Sequence, residues 1–111
     1  GIGVVLEAMR KHKGHADVQV SGCGAVGTLA LQSEIQVKIA VEGGVGVVLG
    51  AMKKHAEQAR VQEAGCGAIR TLADHNSNNQ LKIAFEGGVG LVLGAMRKHL
   101  GLVRVQEAGC G

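Results

Sequence analysis

Residues 44–55 read GVGVVLGAMKKH, and residues 88–99 repeat them almost letter for letter as GVGLVLGAMRKH. Residues 1–12, GIGVVLEAMRKH, are a third copy. Eighteen of 24 positions are identical between residues 44–67 and residues 88–111. Self-similarity at a fixed spacing is typical of repeat proteins, in which each unit buries its apolar face against its neighbours.

Two further blocks recur between these copies. One is VQVSGCGAVGTLA from Val18, VQEAGCGAIRTLA from Val61 and VQEAGCG from Val105, and the other is IQVKIAVEGG from residue 35 and NQLKIAFEGG from residue 79. The three cysteines of the first block are 43 and 44 residues apart, which sets the period. We therefore expect a single repeat domain over residues 1–111, with units of about 1–43, 44–87 and 88–111, the last incomplete.

Each block has the apolar spacing of a helix. In the Val61 block, apolar and small residues recur at intervals of three and four and form one stripe, as expected of an amphipathic helix. The stripe consists of Val61, Gly65, Ala68, Ile69 and Leu72. Between helices, the Gly43–Gly44 pair predicts a helix end and a sharp turn that needs a positive φ. Each unit should thus hold a short helix, a Gly-Gly corner, a second helix and a longer third helix.

Glycine is the most unusual part of the composition, with 19 glycines in 111 residues and no proline. Most of these glycines lie in columns shared between units, so they belong to the repeat. Within a helix each glycine costs about 1 kcal/mol relative to alanine. We therefore interpret Gly46, Gly50, Gly65 and Gly67 as positions where neighbouring helices approach closely, and predict that Gly67→Leu disrupts the fold.

Three helices in a unit of about 42 residues resemble the armadillo repeat. The Val61 block is also similar to the third helices of that family, which commonly read QEA-x-x-AL-x-NLA. The resemblance covers the whole chain in a shifted frame. It implies an all-α fold, a right-handed α-solenoid (alpha-alpha superhelix) of three-helix armadillo-like repeats. It also implies a protein–protein interaction or scaffold module that binds a partner segment on successive third helices.

The same resemblance indicates which residues would contact a protein or peptide partner. In the family an Asn on the third helix holds an extended peptide, and a Trp commonly lies four residues earlier. This chain has Thr28 and Thr71 at the Asn position, and Gly24 and Gly67 at the Trp position. The predicted partner-binding groove consists of Thr28, Gln32, Gly67, Arg70, Thr71, Asp74 and His75.

Catalytic, cofactor and metal sites are not predicted. Residues 22–27 match the dinucleotide pattern GxGxxG, but the repeat replaces Gly27 with Arg70 in the next unit, and the chain lacks strand–helix alternation. One cysteine per unit, without a CxxC or HxxxH spacing, does not suit a metal site. We interpret the cysteine column as small buried hydrophobes. A thiol beside Arg70 or His75 would instead have a lowered pKa.

Basic residues recur at the ends of the second helices, where cations suit the helix dipole. Stacked units would align them into a ridge that consists of Lys11, Lys13, Lys53, Lys54, Arg97 and Lys98, accompanied by His12, His55 and His99. Such a ridge could bind phosphate or nucleic acid. Nucleic acid is the less favoured partner, because the net charge is only +3 and Phe85 is the only aromatic residue.

The remaining expectations concern location and assembly. The longest apolar stretch, residues 43–52, is too short to span a membrane. Three widely spaced cysteines without a signal peptide favour a cytoplasmic location, with the nucleus as the alternative. The sequence begins and ends within a repeat, which predicts either a piece of a longer array or a structural role. In the second case copies stack end to end into a homo-oligomer through their uncapped ends.

Overall fold

The computed structural model describes residues 1–98, which form seven α-helices and no strand. The helices are α1 (Ile2–Lys11), α2 (Ala16–Leu29), α3 (Ser33–Val41), α4 (Gly44–Lys54), α5 (Ala59–Ala73), α6 (Ser77–Phe85) and α7 (Gly88–Lys98). The all-α prediction is confirmed for these residues. The third copies of the cysteine and histidine columns, Cys110 and His99, lie outside the described part of the chain.

Helices with similar sequences have similar neighbours. The α1–α2 pair packs as the α4–α5 pair does, α3 contacts α4 as α6 contacts α7, and α1 contacts α4 as α4 contacts α7. The largest helix–helix interface joins α2 to α5, the two long helices of successive units. In this interface a Cβ on Gly27 would lie 3.5 Å from the Cα of Ala68, so the two backbones come close together.

The Gly-Gly corners have the geometry that the sequence predicts. Gly43 has φ +85° and Gly87 has φ +81°, in the left-handed region that favours glycine. Gly44, the next residue, starts α4, and a Cβ there would lie 2.8 Å from the carbonyl oxygen of Ile39. Both glycines of the pair are therefore required, the first by its φ angle and the second by the space available.

The apolar core follows the predicted stripes. Its largest fully buried apolar side chains include Leu6, Met9, Val26, Ile39, Val48, Met52, Val61 and Leu72. Met52 packs directly on Gly65 of α5, where an added Cβ would overlap the methionine side chain. Met9 packs in the same way on Gly22 of α2. In both units a methionine side chain therefore fills the space that a glycine leaves on the next helix.

The other helical glycines show that the close-approach prediction was only partly right. It is confirmed for Gly65, but it is wrong for Gly50 and Gly67, because a Cβ on either would meet nothing within 4 Å. A Cβ on Gly46 would lie 3.0 Å from a carboxylate oxygen of Glu86, so the side chain of the C-cap residue of α6 occupies that space. The expectation that Gly67→Leu disrupts the fold by a clash is therefore not supported.

Two buried glutamines join successive helices. The Gln62 side-chain amide donates to the carbonyl oxygens of Met52 and His55, both at 2.9 Å. Gln19 donates to Met9 and His12 in the same way, at 3.2 and 2.8 Å. The last carbonyls of a helix have no partner within it, so each glutamine satisfies the end of the helix before it.

Among residues 1–98, no single helix is both long and apolar enough to cross a membrane. In this part of the chain one pair of helices, α3 and α4, reaches that length and composition when taken together, and the pair is bent by 71° at the break.

Candidate functional site

The predicted groove residues lie on α2, on α5 and in the turns that follow them. Thr28 is exposed on α2, whereas Gly67 and Thr71 are half-buried on α5. Gln32 is the N-cap residue of α3 and is exposed. The structure thus places Thr28 on α2 and Gly67, Arg70 and Thr71 on α5, whereas Gln32, Asp74 and His75 follow these helices.

The two threonines already use their hydroxyl hydrogens. Thr71 Oγ1 donates to the carbonyl oxygen of Gly67 at 3.0 Å, and Thr28 Oγ1 donates to that of Gly24 at 3.1 Å. Each bond runs back four residues within the same helix, a common arrangement for threonine. In this state the hydroxyls offer only an acceptor to a partner, whereas an asparagine side chain offers both a donor and an acceptor.

The glycines of the groove leave open space beside these threonines. A Cβ on Gly24 or Gly67 would meet nothing within 4 Å. Neither glycine contributes a side chain to a groove wall, so the surface is shallow at this point. The polar contacts available to a partner then come mainly from the C-terminal end of α5.

Arg70, Asp74 and His75 come together at that end. They line one cleft of about 440 Å³, whose apolar wall includes Ile69 and Ile83. The side chains of Asp74 and His75 are 70% and 93% exposed, and His75 Nε2 lies 3.7 Å from Asp74 Oδ1. At these exposures an ion pair contributes little to stability. The groups therefore remain accessible to a ligand.

The backbone at His75 is unusual. His75 has φ +49°, the only positive φ of a non-glycine residue among residues 1–98. Histidine is among the residues that adopt this left-handed conformation more readily than most. It turns the chain from α5 into α6, where the Asn76 side chain caps the next helix by accepting from the Asn79 backbone NH at 2.9 Å.

A second cleft lies on the other side of this turn. It holds about 420 Å³ and is lined by Leu31, Ser33, Val37, Asp74 and His75 among others. The turn between α5 and α6 therefore contributes to two clefts, one against α6 and α7 and one against the start of α3. The predicted residues Thr28, Gln32, Gly67 and Thr71 line neither of them.

Gln36 holds this turn in place, and sequence reasoning missed it. Its side-chain amide donates to the carbonyl oxygens of Thr71, Leu72 and Asp74, at 2.9, 3.1 and 2.9 Å. Its own oxygen accepts from Asn76 at 3.0 Å. One glutamine on α3 thus satisfies the end of α5 in the next unit and positions the residues of the cleft.

A sequence signal for these glutamines exists only in part. Gln19 and Gln62 recur in one column directly beside the apolar stripe, which is the pattern of a buried residue. Gln36 also recurs in a column, with Gln80, but that column does not indicate burial, because Gln80 is exposed and donates to a single carbonyl, that of Ala73, at 2.9 Å.

The cysteine prediction is confirmed for the two described copies. Cys23 is 0% and Cys66 is 2% exposed. Burial raises the pKa of the Cys23 thiol to about 12 and that of Cys66 to about 11. The alternative, a pKa lowered by Arg70 or His75, is therefore wrong for Cys66, even though all three residues line the same cleft.

We expect these two thiols to be inert in the folded protein. In a Cys110→Ser variant, Cys23 and Cys66 should react with an aromatic disulfide reagent only as the protein unfolds, because they are buried and protonated at pH 8. Rapid reaction of the native protein would contradict this prediction.

The same pKa shifts predict how stability depends on pH. Since both pKa values lie above the ordinary 9.0, unfolding releases thiol protons at high pH, and the free energy of unfolding should fall as the pH rises above 9.

Lys11, Lys53, Lys54, Arg97 and Lys98 of the predicted basic ridge lie at helix ends, whereas Lys13 lies in the turn after α1. Arg10 and Lys11 fall in the last turn of α1, Lys53 and Lys54 in that of α4, and Arg97 and Lys98 in that of α7. His12 and His55 are the C-cap residues of α1 and α4. His55 Nε2 lies 2.7 Å from the Lys13 carbonyl oxygen, which links the ends of these two helices.

The remaining motifs have a structural explanation. The GxGxxG stretch at residues 22–27 lies wholly inside α2, without the strand and turn that the dinucleotide motif requires. Among residues 1–98, no group of three or more His, Cys, Asp or Glu side chains is placed to hold a metal ion.

Comparisons with protein-family models, with curated proteins and with solved structures give no match to this chain. Function is therefore inferred from the residues themselves.

Proposed function

We propose that the chain is an armadillo-like repeat protein, a right-handed α-solenoid whose units each contribute three helices. The recurring packing of α1–α2 and α4–α5, and of α3–α4 and α6–α7, supports this arrangement. So do the two Gly-Gly corners, because both turn the chain at the same point of a unit with nearly the same φ. In such an array the long helices of successive units lie side by side and form one continuous surface.

We propose that this surface binds a segment of a partner protein. The observation that carries the proposal is the set of polar side chains Arg70, Asp74 and His75, which stand exposed around one cleft at the end of α5. Exposed polar groups that converge on a partly apolar cleft are the usual composition of a binding site. No catalytic step is proposed for them.

The charges indicate how a segment would bind. Arg70 has five guanidinium N–H donors in a planar fork, which match a carboxylate of the partner. Asp74 can accept from a backbone NH or a basic side chain. Apolar residues of the segment would contact the cleft wall formed by Ile69 and Ile83. The threonines, whose hydroxyl hydrogens are already donated, contribute acceptors at the edge.

Arg70→Glu is expected to weaken partner binding at least about tenfold, since it replaces an attractive charge–charge hydrogen bond with a repulsion. Peptides selected from a displayed random library against the folded protein would serve as probes. Their affinities for the wild type and the variant can be measured by fluorescence anisotropy.

Arg60→Glu is the matched control. Arg60 is also exposed and also on α5, but at the opposite end of the helix. Arg60→Glu changes the charge by the same amount. If the cleft is the binding site, the affinity of this variant for the peptides should stay within about twofold of the wild-type value. If both variants lost affinity equally, or if Arg70→Glu lost none, the binding surface would lie elsewhere.

A further inference from the structure

Away from the proposed groove, the repeat forms a pair of clefts, and the first of this pair separates α1 from α4. It holds about 500 Å³, within the range of small-molecule sites in proteins. Its α4 wall is formed by Gly46, Val47 and Gly50, among others. A Cβ on Gly50 would meet nothing within 4 Å, so the lack of a side chain at this position leaves the space open.

The repeat places an equivalent cleft between α4 and α7, of about 220 Å³. Its lining residues fall in the same columns as those of the first cleft. Met52, Gln62, Gly90, Leu91, Gly94, Ala95 and Lys98 replace Met9, Gln19, Gly46, Val47, Gly50, Ala51 and Lys54. The two clefts therefore differ mainly in the few positions at which their sequences differ, which makes the second an internal reference for the first.

The two clefts differ most in charge. In the second, Lys98 forms an ion pair with Glu57, and Ala56 takes the place that Lys13 has in the first. In the first cleft, Gly14 stands in the column of Glu57, so the acid that pairs with Lys98 has no counterpart for Lys54, and none of the lining residues is acidic. Within residues 1–98 the ammonium groups of Lys13 and Lys54 make no hydrogen bond or ion pair. The first cleft thus keeps cations that the second neutralises or lacks.

Arg10 adds a third cation to the first cleft, and its position is fixed. Its Nη2 donates to the Glu42 carbonyl oxygen at 2.7 Å, which holds the guanidinium beside the N-terminus of α4. The Glu86 carboxylate approaches Gly46 at this same end. Eight residues of helix, about 12 Å, separate Gly46 from Lys54, so the end with Lys13 and Lys54 has two cations and no acidic partner.

We propose that this cleft binds an organic anion, a small molecule with an anionic group on an apolar body. The anionic group would lie between the Lys13 and Lys54 ammonium groups, and the apolar body against Val47 and Gly50. A carboxylate and a phosphate share this chemistry. The size of the cleft and its glycine wall suit a compact apolar body better than a polymer backbone.

The test uses octanoate and octyl phosphate as probes, with octanol as the uncharged reference. Each is titrated into ¹⁵N-labelled protein, and binding is followed at the backbone amides of Gly50 and Ala51. We expect both anions to shift these signals and octanol to bind at least about tenfold more weakly. Tighter binding of octanoate identifies a carboxylate ligand, and tighter binding of octyl phosphate identifies a phosphate.

The repeat supplies the decisive variant. Gly14→Glu introduces the acid that the second cleft has, and the structure accommodates it, because a Cβ on Gly14 meets nothing within 4 Å. It should lower the affinity for both anions about tenfold by pairing with Lys54. Lys54→Gln, a change at an exposed site, should lower the affinity for both anions by a similar factor. It tests the same charge if Gly14→Glu does not fold. Glu57→Gly, the reverse change in the second cleft, should leave the affinity at Gly50 unchanged.

Three results would overturn the proposal. One is the absence of any shift at Gly50 and Ala51 at millimolar concentrations of both anions. Another is equal binding of octanol, which would show that the cations contribute nothing. The third is an affinity that neither Gly14→Glu nor Lys54→Gln changes while both variants remain folded by circular dichroism.

Discussion

Gly65→Ala is expected to lower the free energy of unfolding by about 1–3 kcal/mol, although alanine is the better helix former. The new Cβ would overlap the side chain of Met52, which is 0% exposed and enclosed by the core. A buried methionine has little room to move, so the overlap outweighs the gain in helix propensity. Urea unfolding followed by far-ultraviolet circular dichroism measures the change.

Gly67→Ala, two residues further along the same helix, should have the opposite effect. Its Cβ would enter open space, so the helix gains up to about 1 kcal/mol. The first unit offers a replicate, because Gly22 faces Met9 whereas Gly24 faces open space. A loss of stability in Gly67→Ala as large as that in Gly65→Ala would show that the packing of α5 differs from the one described.

Gln36→Leu is expected to cost about 2–3 kcal/mol, the other large effect on stability. The leucine keeps the approximate size of the side chain but removes the donor shared by the Thr71, Leu72 and Asp74 carbonyls. Gln36 is 6% exposed, so most of its side chain is closed to water and the three carbonyls would lose a buried donor. The same urea measurement applies.

Gln80→Leu is the matched control, since Gln80 occupies the same column of the next unit. It is exposed and donates only to the Ala73 carbonyl, so its replacement should cost less than about 0.5 kcal/mol. If the two leucine variants lost equal stability, the network around Gln36 would not be the reason for either loss.

Much of the helical organisation could be predicted because it depends on local properties that the repeat displays several times. Apolar residues at intervals of three and four indicate α5, and the Gly43–Gly44 pair marks the end of α3 because a positive φ is costly for other residues. The burial of Cys23 and Cys66 also follows from their position beside the stripe. In each case the neighbours along the chain suffice.

The glycines inside the helices show where this reasoning stops. Gly65 and Gly67 both recur in every unit, yet one faces Met52 and the other faces open space. The column shows only that a side chain is absent. A neighbouring side chain fills the space at one glycine and leaves it empty at another, depending on which helix lies opposite. The local sequence pattern does not indicate which helix that is.

The candidate sites show the same division. Of the seven residues that the repeat alignment groups, Arg70, Asp74 and His75 line one cleft, because they lie within two turns of one helix and its following residues. The alignment did not indicate that Gln36, 35 residues before Thr71, holds this turn. Nor did it separate Lys54 from Lys98, since the two occupy the same column and only Glu57 makes them different.

The sequence by itself determined the period of the chain, its helical class and the corners between helices, because these depend on contacts within a few residues. Only the tertiary structure decided which glycines are filled by a neighbour, which carbonyls a glutamine satisfies and which lysines remain without an acid. These properties depend on residues that are separated along the chain, such as Met52 and Gly65 or Gln36 and Thr71, and that meet only in the folded protein. Nearly identical units can therefore have different surfaces wherever a single position, such as Gly14 or Glu57, differs between them.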